Sequence, residues 1–513
     1  MTNLADHLFR QGRERPGKRA LVFGEQSWTY EEIVAIVRRL AGGLRAEGIG
    51  KGTRVGIMVG ACPQFIFFQQ ALHALGAIVT PLNIFYRRSE LAHAASIGDL
   101  EILVMAGEYL DRLPSLEAAD MATVRRIFVV DPTGGLVPGR IDPVDGLEAQ
   151  GTPLAEPVDL EPSDVVMMLN TSATTGKAKS VMLTLANIDA NYVPTSGWLG
   201  LDGDTVTLCA LPLYNTFGLN QGIMALMVTG ATMVLMPRFD ARQCLELIDR
   251  HRCTFFPAVP TMLQKVFDHP DARNYDLTSI SRIMTGAAPV PAALLERIYA
   301  VMGPDTAVMS GYGLTEGTAI VTLEHIELAA DGRVARPKSI GKVLPGMEMR
   351  MVTDDGRIAA RGEVGEICVR GPNVMLGYYK QPEETALAIR DGWLHTGDLG
   401  LVDEAGNAYI VDRKKDLIIR GGQNIYPADI EEVIYAHPGV REVAVVGIPD
   451  DVLGEVPVAY VAMAPGQTAS IEDLVARCRE ELAYYKVPAQ IHFMDELPKG
   501  PTGKILRRGL RPT

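Results

Sequence analysis

Apolar runs alternate with helical stretches through residues 54–310, and that alternation leaves few folds open. Arg54-Val-Gly-Ile-Met-Val59 reads as a buried strand, residues 62–75 as a helix, and Ala77-Ile-Val-Thr-Pro81 as the next strand. Thr205-Val-Thr-Leu-Cys209, Thr232-Met-Val-Leu-Met236, Thr254-Phe-Phe256, Arg282-Ile-Met284 and Ala307-Val-Met309 continue the series. Strands spaced by helices in this way predict parallel sheet built from βαβ units. Ahead of the series, Ala20-Leu-Val-Phe23 and Gln26-Ser-Trp-Thr-Tyr30 flank Gly24-Glu25 as a hairpin. Thr29 with Glu32 three residues on has the form of a helix start, followed by helical spacing over 33–44.

The character changes near residue 340. Glu348-Met-Arg-Met-Val352, Gly365-Glu-Ile-Cys-Val369 and Asn407-Ala-Tyr-Ile-Val411 read as short strands between Gly/Asp turns. They predict a small, largely antiparallel β subdomain at about 340–413. Residues 412–424 are charged and glycine-bearing, which fits a linker. Helix 428–436, strands 442–446 and 456–463, and helix 471–482 then make a separate α+β module. At 513 residues the chain exceeds one core. The expected fold class is therefore α/β: a large N-terminal domain, 1–413, of βαβ layers plus the β subdomain, then an α+β C-terminal domain, 414–513.

Charge and cysteine usage exclude several functions. A formal net charge of −13 argues against non-specific nucleic-acid binding, and the basic clusters Arg413-Lys-Lys415 and Arg507-Arg508 are short. Six cysteines are scattered without a C-x-x-C pair, which disfavours a zinc site or disulfide framework and fits a reducing cytoplasm. The N-terminus lacks a basic segment followed by an apolar core, so no secretory signal is expected. The longest apolar stretch, 222–236, is broken by Thr229, Gly230 and Thr232. It is too short to insert in a membrane and reads as a buried helix–strand pair.

Five stretches carry chemistry. Asn170-Thr-Ser-Ala-Thr-Thr-Gly-Lys-Ala-Lys179 follows the apolar run 164–169. Hydroxyls, backbone N–H groups and two lysines can surround phosphate oxygens, although the spacing is not that of a P-loop and an ordinary polar turn has the same composition. Ser310-Gly-Tyr-Gly-Leu-Thr-Glu316 offers close backbone approach, a flat ring and a carboxylate suited to a divalent cation. Gly392-Trp-Leu-His-Thr-Gly-Asp398 puts a carboxylate after a tight turn, where it can accept ribose hydroxyls or cap its own backbone. A lone histidine there, His395, is more often packed than catalytic. Residues 411–424 put charge and Gly421-Gly422 at the domain boundary, as either a ligand-facing hinge or a solvated linker. Lys499-Gly-Pro-Thr-Gly-Lys-Ile-Leu-Arg-Arg508 is either a shaped loop presenting Lys504 or a disordered basic tail.

Together, in this order, these stretches resemble the adenylate-forming superfamily, which includes acyl- and aryl-CoA synthetases, adenylation domains of peptide synthetases, and beetle luciferases. The resemblance runs over essentially the whole chain. It implies two steps: a carboxylate attacks the α-phosphate of Mg-ATP to give an acyl-adenylate and pyrophosphate, and a second nucleophile then displaces AMP. By motif position, Thr171, Ser172, Thr174, Thr175, Gly176 and Lys179 would belong to the phosphate loop. Gly286, Ala287 and Ala288 would border adenine and the acyl group, with Tyr312 stacked near adenine. Thr315 would touch the α-phosphate, and Glu316 would hold Mg²⁺. Asp398 and Arg413 would bind the ribose. Lys415 would be the hinge of a mobile C-terminal domain. Lys504 would bridge the carboxylate and the α-phosphate, and Gly421 and Gly422 would line an acceptor tunnel. Tyr214, Asn215, Phe217, Gly218 and Gly311 would shape the acyl pocket.

The chain departs from the superfamily pattern at Ala173, Ser180, Leu185 and Asn215, where glycine, glycine, histidine and histidine are usual. No Asp occupies 214–218 to meet an α-amino group, which disfavours an amino-acid substrate. Phe217, Met224, Met227, Phe255 and Phe256 suit an apolar acid and equally suit plain core. The expected enzyme is an AMP-forming acyl-CoA ligase for a medium-length, cyclic or aromatic acid. It would use ATP, Mg²⁺ and CoA, as a monomer or homodimer. The alternatives are an amide-bond ligase that passes the acyl group to an amine, and a non-catalytic nucleotide sensor.

Overall fold

The computed structural model describes residues 2–131, 141–143, 146–171, 178–288, 290–421, 423–499 and 505–510. Two large sheets and one small sheet organise them. The larger runs from the hairpin Arg19–Phe23/Gln26–Thr29 through Thr232–Leu235, Val206–Cys209, Phe255–Pro257, Arg282–Gly286 and Ala307–Gly313. From the pairing of Arg19–Phe23 with Thr232–Leu235 onward these are parallel, as the βαβ spacing predicts. Ile320–His325 turns antiparallel against Ala307–Gly313, and Ser339–Val343, Ala408–Arg413, Trp393–Val402, Gly365–Arg370 and Glu348–Val352 extend the same sheet. The expected β subdomain is thus antiparallel, yet it is hydrogen-bonded to the main sheet edge to edge.

The second sheet has Arg54–Met58 at its centre, with Ile78–Pro81 and Ile102–Ala106 parallel on either side. Its other arm ends in the antiparallel hairpin Val165–Asn170/Ser180–Thr184, to which Gly377–Tyr378 is added. In the helix Pro63–Ala74 every residue but Gln64 is buried. A helix buried on nearly all sides, with Gln69, Gln70 and His73 as its buried polar residues, belongs to the interior of a layered fold. The helix Tyr30–Ala46 begins at Thr29 with the predicted reciprocal cap to Glu32.

The small sheet joins Gln423–Ile425, Ile418–Arg420, Gly454–Met463 and Val440–Asp450, with Gln490–Phe493 on Gly454–Met463. Helices Pro427–Tyr435 and Ile471–Glu481 cover it through Ile430, Ile434, Leu474 and Cys478. This is the separate C-terminal domain. Residues 412–424 are not a plain linker. Ile418 and Ile425 are fully buried, so the charged run leads directly into a hairpin of the small sheet. No helix among the described residues is long and apolar enough to cross a membrane.

Candidate active site

Four of the stretches singled out above, around Lys179, Glu316, Asp398 and Arg413, are linked by side-chain contacts. The strands Val165–Asn170 and Ser180–Thr184 form a hairpin whose loop is closed by Thr171. Its N–H donates to the Lys179 carbonyl at 2.9 Å, and its Oγ1 accepts from the Lys179 N–H at 3.1 Å. The Lys179 ammonium turns to Glu384 and sits 4.7 Å from the centre of the Tyr378 ring. The Tyr378 hydroxyl donates to Glu316 Oε1 at 2.9 Å. His93, on the helix Arg88–Ile97, lies 3.2 Å from the Ala178 carbonyl. Ser172, Thr174, Thr175 and Gly176 lie outside the described residues, as do Ala173, Gly422 and Lys504.

Glu316 sits in the short turn Thr315–Gly317, directly after the strand Ala307–Gly313. The turn is fixed from residues 373–375: Asn373 Nδ2 donates to the Gly317 carbonyl at 3.1 Å, and the Met375 N–H to the Glu316 carbonyl at 2.8 Å. Thr315 and Glu316 are half-buried, open enough to meet a ligand.

Tyr312, on the same strand, donates its hydroxyl to Asp398 Oδ2 at 2.7 Å. Arg413 Nε lies 3.1 Å from Asp398 Oδ1, because Asp398 and Arg413 are cross-strand partners in the antiparallel pair Trp393–Val402/Ala408–Arg413. Asp398 is only 6% exposed, so this buried carboxylate is both charge-paired and hydrogen-bonded. Burial, and then the Asp398 charge, hold the Tyr312 phenol well above its ordinary range. Thr396, Gly397, Asp398, Arg413, Lys414 and Lys415 line a cavity of about 360 Å³. Burial, and then the neighbouring Arg413, lower the Lys415 pKa. Lys414 is paired with Asp354 at 2.9 Å. His395 packs between Glu366 and Cys368, at 3.2 and 3.3 Å, in the structural role expected of it.

Close backbone approach is built in where the parallel strands end. A Cβ on Gly286 would stand 2.4 Å from the Gly311 carbonyl oxygen, its register partner. Ala287 follows with φ 63°, a left-handed conformation that a side chain rarely takes, and Ala288 is half-buried beside it. Asn215 caps the turn Thr216–Gly218 by accepting the Gly218 N–H at 3.2 Å. A Cβ on Gly218 would lie 2.1 Å from the Pro212 carbonyl oxygen. The chain continues as a π-helical turn, Leu219–Met224, a deformation that recurs at functional sites. Tyr214 is buried, and its phenol is pushed up by burial with Tyr109 and Tyr86 nearby. Phe217 is partly buried, whereas Met224, Met227, Phe255 and Phe256 are ordinary core. Gly421 is exposed at φ 56° and donates to the Leu453 carbonyl at 2.7 Å.

Tyr378, Glu384 and His93 escaped the sequence reading. None sits in a recognisable pattern, and Glu384 meets Lys179 across 205 residues.

Comparison with known proteins identifies the family. The pattern of AMP-binding enzymes matches residues 8–379, and that of the AMP-binding enzyme C-terminal domain matches 429–504. Feruloyl-CoA synthase of an Amycolatopsis species is 36% identical over 506 residues, covering 98% of this chain and 97% of the relative. The structure of o-succinylbenzoate CoA synthetase from Bacillus subtilis with ATP and magnesium superposes with a TM-score of 0.83, at 31% identity and 98% coverage of both chains. The amide bond synthetase McbA from Marinactinospora thermotolerans gives 0.84, at 28% identity and 99% coverage of both chains. With two sequence patterns in the right order and full-length relatives above 30% identity, the chain belongs to the family of AMP-binding enzymes.

Proposed function

We propose that this enzyme activates a carboxylic acid with ATP to an acyl-adenylate, releasing pyrophosphate, and then transfers the acyl group to CoA, releasing AMP. The observation that carries the reading is the contact chain from Lys179 through Tyr378 to Glu316, and from Tyr312 through Asp398 to Arg413. It links side chains from stretches that are far apart in sequence, as binding a nucleotide triphosphate requires. The relatives named for CoA ligation support CoA as acceptor.

Asp398 and Arg413 take the ribose hydroxyls. Each Asp398 oxygen already accepts one donor, from Arg413 or Tyr312, and keeps a lone pair for a sugar hydroxyl. Those donors lock the carboxylate before ligand arrives, so binding loses little side-chain freedom. Tyr312 keeps its ring face for adenine. Glu316 fits Mg²⁺ arriving with the triphosphate: a half-buried carboxylate oriented by Tyr378 is sufficient where phosphates supply the other ligands. The bound ion would neutralise phosphate charge as the acid approaches. Thr315 stands beside Glu316 to meet the α-phosphate, and Ser172, Thr174, Thr175 and Gly176 of the loop 171–179 are assigned to the outer phosphates by motif position. Lys179 anchors that loop through Glu384 and Tyr378.

During adenylation Lys504 bridges the acid and the α-phosphate. The C-terminal domain then turns about Lys415, within a chain divided at 413/414, and Gly421 and Gly422 line the acceptor path. Gly286, Ala287, Ala288, Gly311, Tyr214, Asn215, Phe217 and Gly218 bound the acyl group. The enzyme acts on small molecules in the cytoplasm, as a monomer or homodimer, without nucleic acid. McbA, an amide bond synthetase with the same fold, supports a second reading in which an amine replaces the thiol. Incubating the purified chain with ATP, a panel of acids and either CoA or amines, with products read by mass, tests both. Amide without thioester would overturn the CoA assignment, and absence of acid-dependent ATP–pyrophosphate exchange would overturn the ligase reading itself.

A further inference from the structure

Three carboxylates from different parts of the domain junction meet on one guanidinium. Arg507 Nη2 donates to both oxygens of Glu431, at 2.7 and 2.8 Å. Its Nη1 donates to Asp416 at 3.2 Å and lies 3.6 Å from Asp412 Oδ1. Asp412 ends the strand Ala408–Arg413 of the large sheet, Asp416 follows Lys415 in the turn Lys414–Asp416, and Glu431 lies on the helix Pro427–Tyr435 of the small domain. Asp412 is 6% exposed and also accepts the Ala428 N–H at 3.0 Å. Glu431 accepts the Val445 N–H at 2.8 Å. Arg507 itself is held in the small domain: Ile505 and Leu510 on either side pack with Ala444, Val446 and Leu497. It stands three residues after Lys504.

We propose that Arg507 is a positioning residue that clamps the junction, tying the segment 505–510, which follows Lys504 in sequence, to Asp412 on the large domain and so setting the balance between the two half-reactions. The inference rests on the domain rotation in the proposed function. Glu431 and Asp416 travel with the small domain when it turns about Lys415, whereas Asp412 does not. The Arg507–Asp412 pair is therefore among the contacts that a rotation changes, together with the Ala428 N–H bond to the same carboxylate and the Lys338 pairs with Asp429 and Glu432. Without the guanidinium, three mostly buried carboxylates would face one another uncompensated, which strongly disfavours this arrangement.

The test uses full-length Arg507→Met, Arg507→Lys and Asp412→Asn. Asp412→Asn keeps the side chain's size and weakens the contacts of that one carboxylate, to Arg507 and to the Ala428 and Arg413 N–H groups, while leaving the Glu431 and Asp416 pairs in place, so it carries the test if Arg507→Met fails to fold. One readout is the rate of trypsin cleavage after Arg413, Lys414 or Lys415. The other is the ratio of acid-dependent ATP–pyrophosphate exchange to thioester formation from supplied acyl-adenylate. A coupling of this kind predicts faster cleavage and a ratio shifted about tenfold, in the same direction for Arg507→Met and Asp412→Asn, with partial rescue by lysine. An unchanged ratio, a proportional fall of both half-reactions, or an unchanged cleavage rate overturns the proposal. If the wild-type protein shows no exchange with any acid, the ligase reading falls, while the cleavage rates still decide the clamp.

Discussion

Asp398→Asn isolates the nucleotide-binding role, because it keeps the side chain's size and removes its charge. In the folded chain Asp398 accepts from Tyr312 at 2.7 Å and faces Arg413 at 3.1 Å. The amide retains an oxygen for one of these donors. The Arg413 side chain is 39% exposed, so water compensates much of its lost partner and the fold loses only about 1 kcal/mol. ATP loses more. A hydrogen bond to a charged group contributes about 1.5–3 kcal/mol, against about 0.5–1.5 for a neutral pair, so two ribose hydroxyls forfeit about 2–3 kcal/mol. That is about a 30- to 150-fold rise in the KM for ATP, with the KM for the acid little changed. Tyr312→Phe is the matched control. It removes one hydrogen bond to the same carboxylate, costing stability about 1.5–3 kcal/mol, yet keeps the ring face and both carboxylate oxygens. Its ATP KM should stay within about threefold of wild type, while its thermal midpoint falls further than that of Asp398→Asn. Steady-state ATP–pyrophosphate exchange and thermal unfolding of both variants give all four numbers. A rise in ATP KM for Tyr312→Phe matching that of Asp398→Asn would refute the reasoning, since the carboxylate would then act through Tyr312 and not on ribose.

Lys504→Ala should abolish adenylation and leave transfer from a supplied acyl-adenylate largely intact; measuring the two half-reactions separately checks this, and equal loss of both contradicts the rotation. Ala173→Gly should preserve or raise ATP turnover, read by the same exchange assay, and a large fall would mean the loop has adapted to alanine. His73 is buried in the helix Pro63–Ala74, and burial lowers its pKa to about 4. The native state therefore keeps it neutral while the unfolded chain takes up a proton below pH 6.5. Its contribution is intact above that pH and declines toward pH 4, by about 2 kcal/mol at pH 5. Urea unfolding of wild type and His73→Gln at pH 7 and pH 5 should show a shallower pH dependence in the variant.

What could be read in advance was local or periodic. The Thr29–Glu32 cap, the strands Arg54–Met58 and Ile78–Pro81 and the helix between them announce themselves within a few residues. Gly286 enters only through the family resemblance, and the structure supplies its reason: a Cβ there would meet the Gly311 carbonyl of the neighbouring parallel strand. Contacts made across long separations were invisible. Gly377–Tyr378 is a strand of two residues with no period to detect, yet it pairs with Ser180–Thr184 and brings the Tyr378 hydroxyl to Glu316. Residues 412–424 misled for another reason. Their charges suggest solvent, but the charges at 412 and 416 are consumed by Arg507, and the isoleucines at 418 and 425 enter the core of the small domain.

Structure also changes the weight of the departures from the superfamily pattern. Leu185 is buried at the first position of the helix Leu185–Trp198, where Thr184 caps Asn187, so it is a core residue there. Asn215 uses its side-chain oxygen to cap Thr216–Gly218, a task for which Asn is among the best residues. Ser180 is wholly buried as the cross-strand partner of Asn170, at the base of the loop 171–179. Its hydroxyl has no hydrogen-bond partner among the described residues. Leucine and asparagine are therefore explained by packing and capping, and neither need reflect a change of acceptor. Of the three, only Ser180 keeps an uncommitted polar group, at the base of the loop 171–179 proposed here for the phosphates, where it would bear on ATP and not on the nucleophile of the second step. The choice between thiol and amine consequently draws no support from these positions, and the full-length likeness to CoA ligases tips it toward CoA.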